Sequence, residues 1–300
     1  MKKIVVIMSA YNGEKYIREQ IDSILNQDYT NFYISIRDDG SLDKTNKILN
    51  EYKSNNAQIK VEFGENQGYS KSFFDLLKKE EADYYALADQ DDIWLANKLS
   101  TAISDIQNHE RDNLPLLWFS NLDLYDGEMN YIGTPNPDKR NYDLASSLFT
   151  CIGPGMSYVI NREARDRIIN YSTDTIHEHD FWISRVVEAT GKVIYNPKSF
   201  IKYRRHKSNA SQYSKSTSER IKLGLKRLIT SDVYKNTKEE NILLEERYRY
   251  QMNEKNLKIL SMYNDHSLKG RLKKVLTKDR LKDNLRNEII FRLILLLNIL

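Results

Sequence analysis

Short apolar runs alternate with helical patterns along the first part of the chain. Four runs rich in β-branched and aromatic residues predict strands at Lys3–Met8, Phe32–Ile36, Ile59–Phe63 and Tyr84–Ala88. Apolar residues at helical spacing predict helices between them, over 14–26, 43–52 and 70–79. This alternation is typical of βαβ units, so the sequence predicts an α/β fold with one mostly parallel, Rossmann-like sheet and flanking helices.

Each of these strands is followed by a polar cluster. The clusters are Ser9–Glu14, Arg37–Ser41, Gly64–Gly68 and Asp89–Asp92. Ligands of parallel α/β sheets bind in the crevice beyond the carboxyl ends of the strands. We therefore expect the four clusters to line one binding crevice.

The pattern is less regular after these four units. It predicts strands at Leu116–Asn121, Ser157–Ile160 and Lys192–Tyr195, helices at Glu163–Tyr171 and Phe181–Thr190, and a polar connection at 140–145. No proline follows Pro197, and long charged helical stretches begin near residue 208. We place a boundary near residue 214, between an α/β domain (1–214) and a basic, largely helical C-terminal region (215–300).

Composition is that of a folded globular protein, with 40% hydrophobic and 29% charged residues. Cys151 is the single cysteine, which excludes an intrachain disulfide and a multi-cysteine zinc site and favours the cytoplasm. The apolar run at the start of the chain is too short for a signal peptide. No stretch reaches the ~20 apolar residues of a membrane span, and Arg292 interrupts the closest one, 289–300.

The net charge of +4 hides an asymmetry, because residues 1–214 carry about −5 and residues 215–300 about +9. The acidic first part argues against a nucleic-acid binder. The basic tail favours an anionic surface, such as the inner face of a membrane. Apolar residues recur at helical spacing there: Ile221, Leu225, Leu228, Ile229, Leu268, Leu272, Val275 and Leu276. Either this region contacts a membrane peripherally, near a lipid-linked acceptor, or it packs on the catalytic domain or a homodimer partner.

Three carboxylates within four positions follow the fourth predicted strand. Asp89, Asp91 and Asp92 repel one another, and a divalent cation such as Mg²⁺ or Mn²⁺ would offset that repulsion. Alternate residues of an extended segment point the same way, so Asp89 and Asp91 could share one ion and its diphosphate. A solvated acidic turn is the alternative, which the position behind a buried strand disfavours.

Four ordered motifs resemble the signatures of glycosyltransferase family 2, which has the GT-A fold. They are Ser9-Ala10-Tyr11-Asn12-Gly13-Glu14, Asp38-Asp39-Gly40-Ser41, Asn66-Gln67-Gly68 and Asp89-Gln90-Asp91-Asp92-Ile93-Trp94. The resemblance covers roughly residues 1–210 and departs at Ala96, where many members have proline. It implies an inverting, metal-dependent transferase that uses a nucleotide-sugar donor, here with an added C-terminal helical region.

The resemblance also implies how the donor binds. Ala10 and Tyr11 would line the base pocket, and Asp39 would accept a hydrogen bond from the imide N–H of uracil or thymine. Asp38 and Asp39 could instead be turn residues, which fits Asp38 better than Asp39. Lys71 could meet a phosphate at the start of the third helix, or be an exposed helix lysine.

The resemblance places the catalytic base at the start of a later helix. Asp180 matches that position, and Glu178 is the second choice. Asp180 could also be the N-cap of a helix that begins at Phe181, and both roles are compatible. His177 and His179 lack the further ligands of a metal site.

Two further sets of residues resemble family features. Tyr203–Ser211 resembles a stretch of bacterial rhamnosyltransferases, which implies dTDP-L-rhamnose as donor and cell-surface polysaccharide synthesis as context. Arg205 and His206 would then neutralise the diphosphate, His206 could alternatively bind the metal, and the segment could instead be a basic edge strand. Gly155 and Met156 would form the floor of the acceptor site. Two tryptophans would either offer ring faces to a sugar or pack in the core, Trp94 and Trp182.

Three functions are alternatives to an inverting, metal-dependent rhamnosyltransferase. A UDP-hexose-dependent transferase of the same fold differs only in its donor. A sugar-phosphate nucleotidyltransferase needs a glycine-rich basic loop after the first strand, where this chain has Ala10–Glu14. An inactive nucleotide-sugar-binding module is disfavoured by intact carboxylates at the four positions Asp39, Asp89, Asp91 and Asp180.

Overall fold

The computed structural model describes residues 1–135, 143–206, 232–277 and 285–296. Contacts divide the chain into two compact units. The sheet unit consists of Met1–Asp138, Gly153–Ile183 and Gly191–Arg205, and the helical unit of Lys139–Ile152, Ser184–Thr190 and His206–Leu300. The boundary predicted near residue 214 lies outside the described residues, so the division into 1–214 and 215–300 stays a prediction.

One sheet forms the centre of the sheet unit. Its strands are β1 (Ile4–Ala10), β2 (Phe32–Asp38), β3 (Ile59–Phe63), β4 (Tyr84–Ala88), β5 (Ile93–Trp94), β6 (Leu116–Tyr125), β7 (Tyr131–Gly133), β8 (Val159–Asn161) and β9 (Lys192–Arg204). They follow the order β3-β2-β1-β4-β8-β6-β9-β5, with β7 paired to β6. The pairs β1–β2, β2–β3, β1–β4 and β6–β9 are parallel, whereas β8 is antiparallel to β4 and β6. The predicted α/β fold with a mostly parallel sheet is confirmed.

Helices follow the first three strands as the hydrophobic pattern predicts, and the helix over 98–107 is one that the pattern did not predict. The helices are α1 (Ile17–Leu25), α2 (Thr45–Asn55), α3 (Tyr69–Lys79), α4 (Lys98–Gln107), α5 (Leu144–Ser147), α6 (Arg162–Ile169), α7 (His179–Thr190), α8 (Asp232–Tyr248), α9 (Glu254–Asn264), α10 (Leu268–Leu276) and α11 (Leu285–Leu296). Short 3₁₀ turns lie at Gly155–Ser157 and Arg249–Gln251. None of the described helices is long and apolar enough to cross a membrane.

The middle of the sheet is buried on both faces. β1 and β4 lie side by side, and every residue of β4 is buried. Continuous apolar runs of this kind belong in a parallel sheet that is covered on both sides. In α1, Ile17, Ile21 and Ile24 lie on the buried face of the helix. Because burial fixes the central strands, the polar residues that follow them are held at one edge of the sheet.

The later strands differ from the prediction. The sequence predicts a short strand at Lys192–Tyr195, but β9 continues to Arg204. Asn196, Pro197 and Lys198 interrupt its apolar pattern, and a register shift against β6 accommodates them. The full length of this strand therefore cannot be predicted from hydrophobic periodicity. Its C-terminal residue, Arg204, lies at the site described below.

Two helices also begin where the pattern did not predict them. α5 begins inside the polar connection predicted at 140–145, and at its N-terminus Asp143 accepts a hydrogen bond from the Ser146 N–H. α7 begins at His179, so the predicted helix start at Phe181, with Asp180 as its N-cap, is wrong. Asp180 instead lies in the first turn, where Oδ1 accepts from the Phe181 N–H.

The helical unit contains a buried polar interior. Arg185 Nη1 donates to Glu240 Oε2 at 2.7 Å, and both side chains are buried. Asn256 Nδ2 donates to the carbonyls of Glu188 and Ala189. The helix predicted around Leu268–Leu276 is confirmed as α10, whereas the apolar pattern from Ile221 to Ile229 lies outside the described residues.

Glu188 is a buried carboxyl of this unit that is poorly compensated. Its side chain is 8% exposed, and Oε1 has no hydrogen-bond partner. Burial and the nearby Asp143 raise the pKa of Glu188 to about 8. The unfolded chain releases this proton at a much lower pH than the folded chain does. Stability is therefore lost as the pH rises from the unfolded pKa towards the folded pKa of about 8.

We expect Glu188→Gln to stabilise the protein at pH 8 by about 1 kcal/mol or more and to change little at pH 5, because the amide never ionises. Urea unfolding at both pH values measures the difference. Glu246→Gln, at an exposed position of α8, is the matched control and should show no such pH dependence. A Glu188→Gln effect that is equal at pH 5 and pH 8 would contradict this assignment.

Candidate active site

Three aspartates meet at the carboxyl end of β4. Carboxylate oxygens of Asp89, Asp91 and Asp92 lie within 4.8 Å of one another. Asp92 is fully buried. Burial, followed by the charges of Asp91 and Asp180, raises the pKa of Asp89 to about 7, and burial likewise raises the pKa of Asp92. The three carboxylates that the sequence analysis grouped thus do lie together, and Asp92, which was not predicted as a metal ligand, is the buried member of the group.

Lys98 is a buried cation close to this cluster. It is the first residue of α4, and its Nζ donates to the Met156 carbonyl at 2.8 Å. The same Nζ lies 3.2 Å from the centre of the Trp94 ring. Burial lowers the pKa of Lys98 well below its usual value, while Asp92 and Asp89 act in the opposite direction. Lys98 therefore joins the acidic cluster to the loop predicted as the acceptor floor.

A signal for Lys98 is present in the sequence. The buried residues of α4 are Lys98, Leu99, Ala102, Ile103 and Ile106, which all lie on one helical face. Lys98 occupies an apolar position of that pattern. A lysine at such a position needs partners for its charge inside the protein.

Arg204, at the end of β9, contacts the acidic loop that contains Asp89, Asp91 and Asp92. Its backbone N–H donates to Asp92 Oδ1 and its Nε to the Asp91 carbonyl, both at 3.1 Å. Nη2 donates to Glu19 Oε2 at 2.6 Å, and the guanidinium lies 4.6 Å from the centre of the Tyr16 ring. Arg204 thus ties the Asp91–Asp92 backbone to α1 and its N-terminal flank.

The sequence analysis assigned a functional role to Arg205 and His206, the two residues that follow Arg204, and none to Arg204. The backbone N–H of Arg205 donates to the Tyr125 carbonyl at 2.8 Å, which continues the β6–β9 pairing. His206 belongs to the helical unit. The predicted contact of Arg205 and His206 with a diphosphate stays a prediction.

The ends of β1 and β2, where the base pocket is predicted, lie side by side. Ala10 is level with Asp38, and the Asp39 N–H donates to the Ala10 carbonyl at 2.8 Å. The neighbouring Tyr11 is 42% exposed. Its backbone exchanges two hydrogen bonds with the side chain of Gln90, at 3.0 and 2.9 Å. The base pocket and the acidic loop are therefore linked directly.

Asp39 also has a structural role that the sequence did not reveal. Its buried carboxylate accepts hydrogen bonds from the N–H groups of Gln67 and Gly68 and from the Ser72 hydroxyl. These contacts fix the start of α3, where Gly68 has a φ of +89°. Asp38 behaves as a turn residue and accepts from the Ser41 N–H and hydroxyl. Lys71 lies exposed in the first turn of α3.

The negative charge of Asp180 acts on Asp89 and contributes to the raised pKa of Asp89. The first turn of α7 packs against Gly155, where an added Cβ would lie 3.0 Å from Asp180 Cβ and 3.1 Å from His179 Nε2. The buried His179 ring stacks on Phe73 at 4.2 Å, and burial lowers the pKa of His179 to about 3. This packing fixes the position of Asp180.

Glu178, the second choice for the base, has a different environment. Tyr69 Oη donates to Glu178 Oε2 at 2.6 Å. Burial, followed by this hydrogen bond, raises the pKa of the Tyr69 hydroxyl. A phenol that keeps its proton occupies one carboxylate oxygen of Glu178.

The predicted acceptor residues divide into two groups. Gly155 and Met156 begin the 3₁₀ turn beside Asp180, and their place in the acceptor floor stays a prediction. Trp94 and Trp182 are 3% and 0% exposed. Such burial leaves no ring face for a sugar, so for both tryptophans the structure favours core packing over acceptor contact.

Comparisons with known proteins agree with this geometry. A family model described as Glycosyl transferase family 2 matches residues 5–158. The dTDP-rhamnosyl transferase RfbG of Shigella flexneri is 32% identical over 225 residues, which make up 67% of this chain and 72% of that protein.

Solved structures of low sequence identity share the fold. The 1–349 fragment of S. aureus TarS in complex with UDP-GlcNAc has a TM-score of 0.61 at 18% identity, over 99% of this chain and 79% of that one. The mannosyltransferase PcManGT of Pyrobaculum calidifontis, in complex with GDP-Man and Mn²⁺, has a TM-score of 0.55 at 15% identity, over 97% and 81%. These similarities confirm the predicted GT-A fold.

We expect Lys98→Met to lower the free energy of unfolding by about 3 kcal/mol, because Asp92 and Asp89 lose a buried counter-charge. Lys98→Met combined with Asp92→Asn should recover about 1 kcal/mol or more of this loss, since the uncompensated carboxylate is then neutral. Urea unfolding of the four members of this cycle in EDTA measures both effects. Lys71→Met is the control at an exposed position and should change stability little. Strict additivity of the two substitutions would show that Lys98 and Asp92 are not coupled.

Proposed function

The chain is a glycosyltransferase of family 2, and we propose that it transfers a sugar with inversion from a nucleotide diphosphate donor to a saccharide or lipid-linked saccharide. The observation that carries this proposal is that both acidic groups adjoin the Gly155–Met156 turn: Lys98, beside the aspartate cluster, donates to the Met156 carbonyl, and the first turn of α7 with Asp180 packs against Gly155. One carboxylate on α7 and three after β4 supply the two functions that an inverting transfer needs. These are a base for the acceptor and a site for the departing diphosphate.

Asp180 is the proposed base. The acceptor oxygen attacks the anomeric carbon from the side opposite the diphosphate, and its proton passes to the Asp180 carboxylate. The new C–O bond forms as the bond from the anomeric carbon to the diphosphate oxygen breaks, which inverts the configuration. Gly155 supports this role, because the absence of a side chain there leaves room for the first turn of α7 to approach the acceptor floor.

Asp89 and Asp91 are the proposed ligands of a Mg²⁺ or Mn²⁺ ion. The donor set fits a hard cation, because all three clustered residues offer carboxylate oxygens. Asp92 Oδ2 is buried without a hydrogen-bond partner, so the site has acceptor capacity that the protein does not use. When bound, the ion would offset the negative charge of the diphosphate. Lys98 and Arg204 hold the loop in place for it.

The nucleotide is proposed to bind at the ends of β1 and β2. The exposed ring of Tyr11 is available to pack on a base, and Ala10 leaves space next to it. Asp39 would accept from the imide N–H of uracil or thymine while it holds the start of α3. Other groups proposed to reach the phosphates are Lys71, Arg205 and His206.

We propose L-rhamnose from dTDP-L-rhamnose as the donor, which the similarity to a dTDP-rhamnosyl transferase supports. A UDP-hexose is the alternative, since the solved structure of TarS was obtained with UDP-GlcNAc. The proposed context is the synthesis of a bacterial cell-surface polysaccharide. A lipid-linked acceptor would require peripheral contact with the inner face of the cell membrane, for which the basic C-terminal region is the candidate.

We expect Asp180→Asn to lower kcat by about 100-fold to 10,000-fold, which is the usual contribution of a general base. Donor binding should stay intact, because Asp180 acts on the acceptor. Glu178→Gln is the matched control from the same segment, and its kcat should fall by less than about tenfold. Steady-state transfer assays, with donor binding measured separately, distinguish the two. Near-full activity of Asp180→Asn, or a larger loss in Glu178→Gln, would contradict the assignment of Asp180 as the base.

We expect dTDP-L-rhamnose with Mn²⁺ to raise the melting temperature more than UDP-GlcNAc or UDP-glucose does, because only the bound donor stabilises the folded state. EDTA or Asp91→Asn should remove most of that shift. Asp112→Asn, at an exposed position in the turn before β6, is the control and should retain it. Differential scanning fluorimetry measures each case. A larger shift with a UDP-sugar would contradict the assignment of dTDP-L-rhamnose as the donor. A shift that survives EDTA would contradict the metal site.

A further inference from the structure

α10 exposes three leucines on one face and turns the opposite face inwards. Leu268, Leu272 and Leu276 are 73%, 54% and 78% exposed, whereas Gly270 and Lys274 are buried. The three leucines are four residues apart and lie on one face of the helix. A helix on the surface of a globular protein normally turns such a face towards the core. In α10 the leucine face points to solvent instead, so the helix has the opposite orientation to the usual one.

Close contacts hold α10 in this orientation. An added Cβ at Gly270 would lie 2.3 Å from the carbonyl oxygen of Asp265, so the helix approaches the preceding turn too closely for any side chain there. At the other end, Arg292 of α11 donates to the carbonyls of Val275 and Thr277. Rotation of the leucines into the interior would break the contacts at both ends.

The exposed face also carries positive charge. Lys269 and Lys273 are exposed and lie beside the leucines on the helix surface. The helix sequence, LKGRLKKVL, has four basic residues and no acidic one. The adjoining α11 exposes Ile289 and Leu293, each at 53%. Leucines flanked by lysines match the boundary between the acyl chains and anionic headgroups of a lipid bilayer.

We propose that α10 is a lipid-binding face, with Leu268, Leu272 and Leu276 entering an anionic phospholipid surface and Lys269 and Lys273 contacting its phosphates. A second copy of this chain fits the same face less well. A two-fold interface brings one patch against itself, and the lysines of the two copies would then repel each other. The inference rests on the membrane contact in the proposed function and deepens it, since it names the helix and the lipid chemistry of that contact.

Vesicle flotation of the full chain tests the proposal. Vesicles of phosphatidylcholine alone are compared with vesicles that contain phosphatidylglycerol as well. We expect binding to the anionic vesicles that weakens with salt. The triple variant Leu268→Ser/Leu272→Ser/Leu276→Ser should reduce partitioning about tenfold or more. Lys269→Gln/Lys273→Gln should reduce it about tenfold on anionic vesicles only.

Matched controls separate this face from general effects of charge and hydrophobicity. Leu42→Ser/Tyr250→Ser removes two highly exposed apolar side chains elsewhere, and Lys255→Gln/Lys258→Gln removes two exposed lysines from α9. Both variants should bind vesicles like the parent chain. Circular dichroism and donor-induced thermal shifts establish that each variant is folded.

Two results would overturn the proposal. One is the absence of binding of the parent chain to anionic vesicles at low salt. The other is equal binding of the triple leucine variant and the parent. If the parent is a dimer by light scattering, fails to bind vesicles and becomes monomeric in the triple leucine variant, the face is an interface between copies. None of these results would alter the proposed transfer reaction, which is measured with donor and acceptor in solution.

Discussion

Repulsion among three carboxylates at the end of a buried strand is the constraint on which the rest of the site depends. β4 is covered on both faces, and in the loop that follows it the fully buried Asp92 lies beside Asp89 and Asp91. Positive charge and N–H donors must therefore be brought to them. Lys98 supplies a buried ammonium from α4, and Arg204 supplies a backbone N–H to Asp92 and a guanidinium contact to the neighbouring carbonyl.

The fold delivers these groups from distant parts of the chain. The parallel order of β1, β2 and β4 places the base pocket beside the acidic loop, and Gln90 connects the two through the Tyr11 backbone. The length of β9 brings Arg204 to the loop from the far side of the sheet. The Met156 carbonyl, which accepts from Lys98, precedes β8 and adjoins Asp180 through Gly155. The proposed positions of donor, metal and base thus share one set of supporting contacts.

The sequence predicted the part of this arrangement that depends on local periodicity. Four strand–loop–helix units and the clusters after them were recognisable, because apolar period and turn residues are local signals. β9 was underestimated because Asn196 and Pro197 break its pattern, while its pairing with β6 is long-range. Lys98 was overlooked because its partners, the Met156 carbonyl and the aspartates, are set by tertiary contacts and not by a local pattern. The leucines of α10 were predicted to share one helical face, but periodicity does not tell which side of a helix faces the interior.

The central claim, that Asp89 and Asp91 form a cation site beside the diphosphate, is tested most directly by anomalous diffraction. Crystals grown with Mn²⁺ and dTDP would be measured on both sides of the manganese absorption edge. The account predicts one strong anomalous peak about 2.2 Å from carboxylate oxygens of Asp89 or Asp91 and in contact with a diphosphate oxygen. An ordered diphosphate in the crevice with no manganese peak at these residues would contradict it.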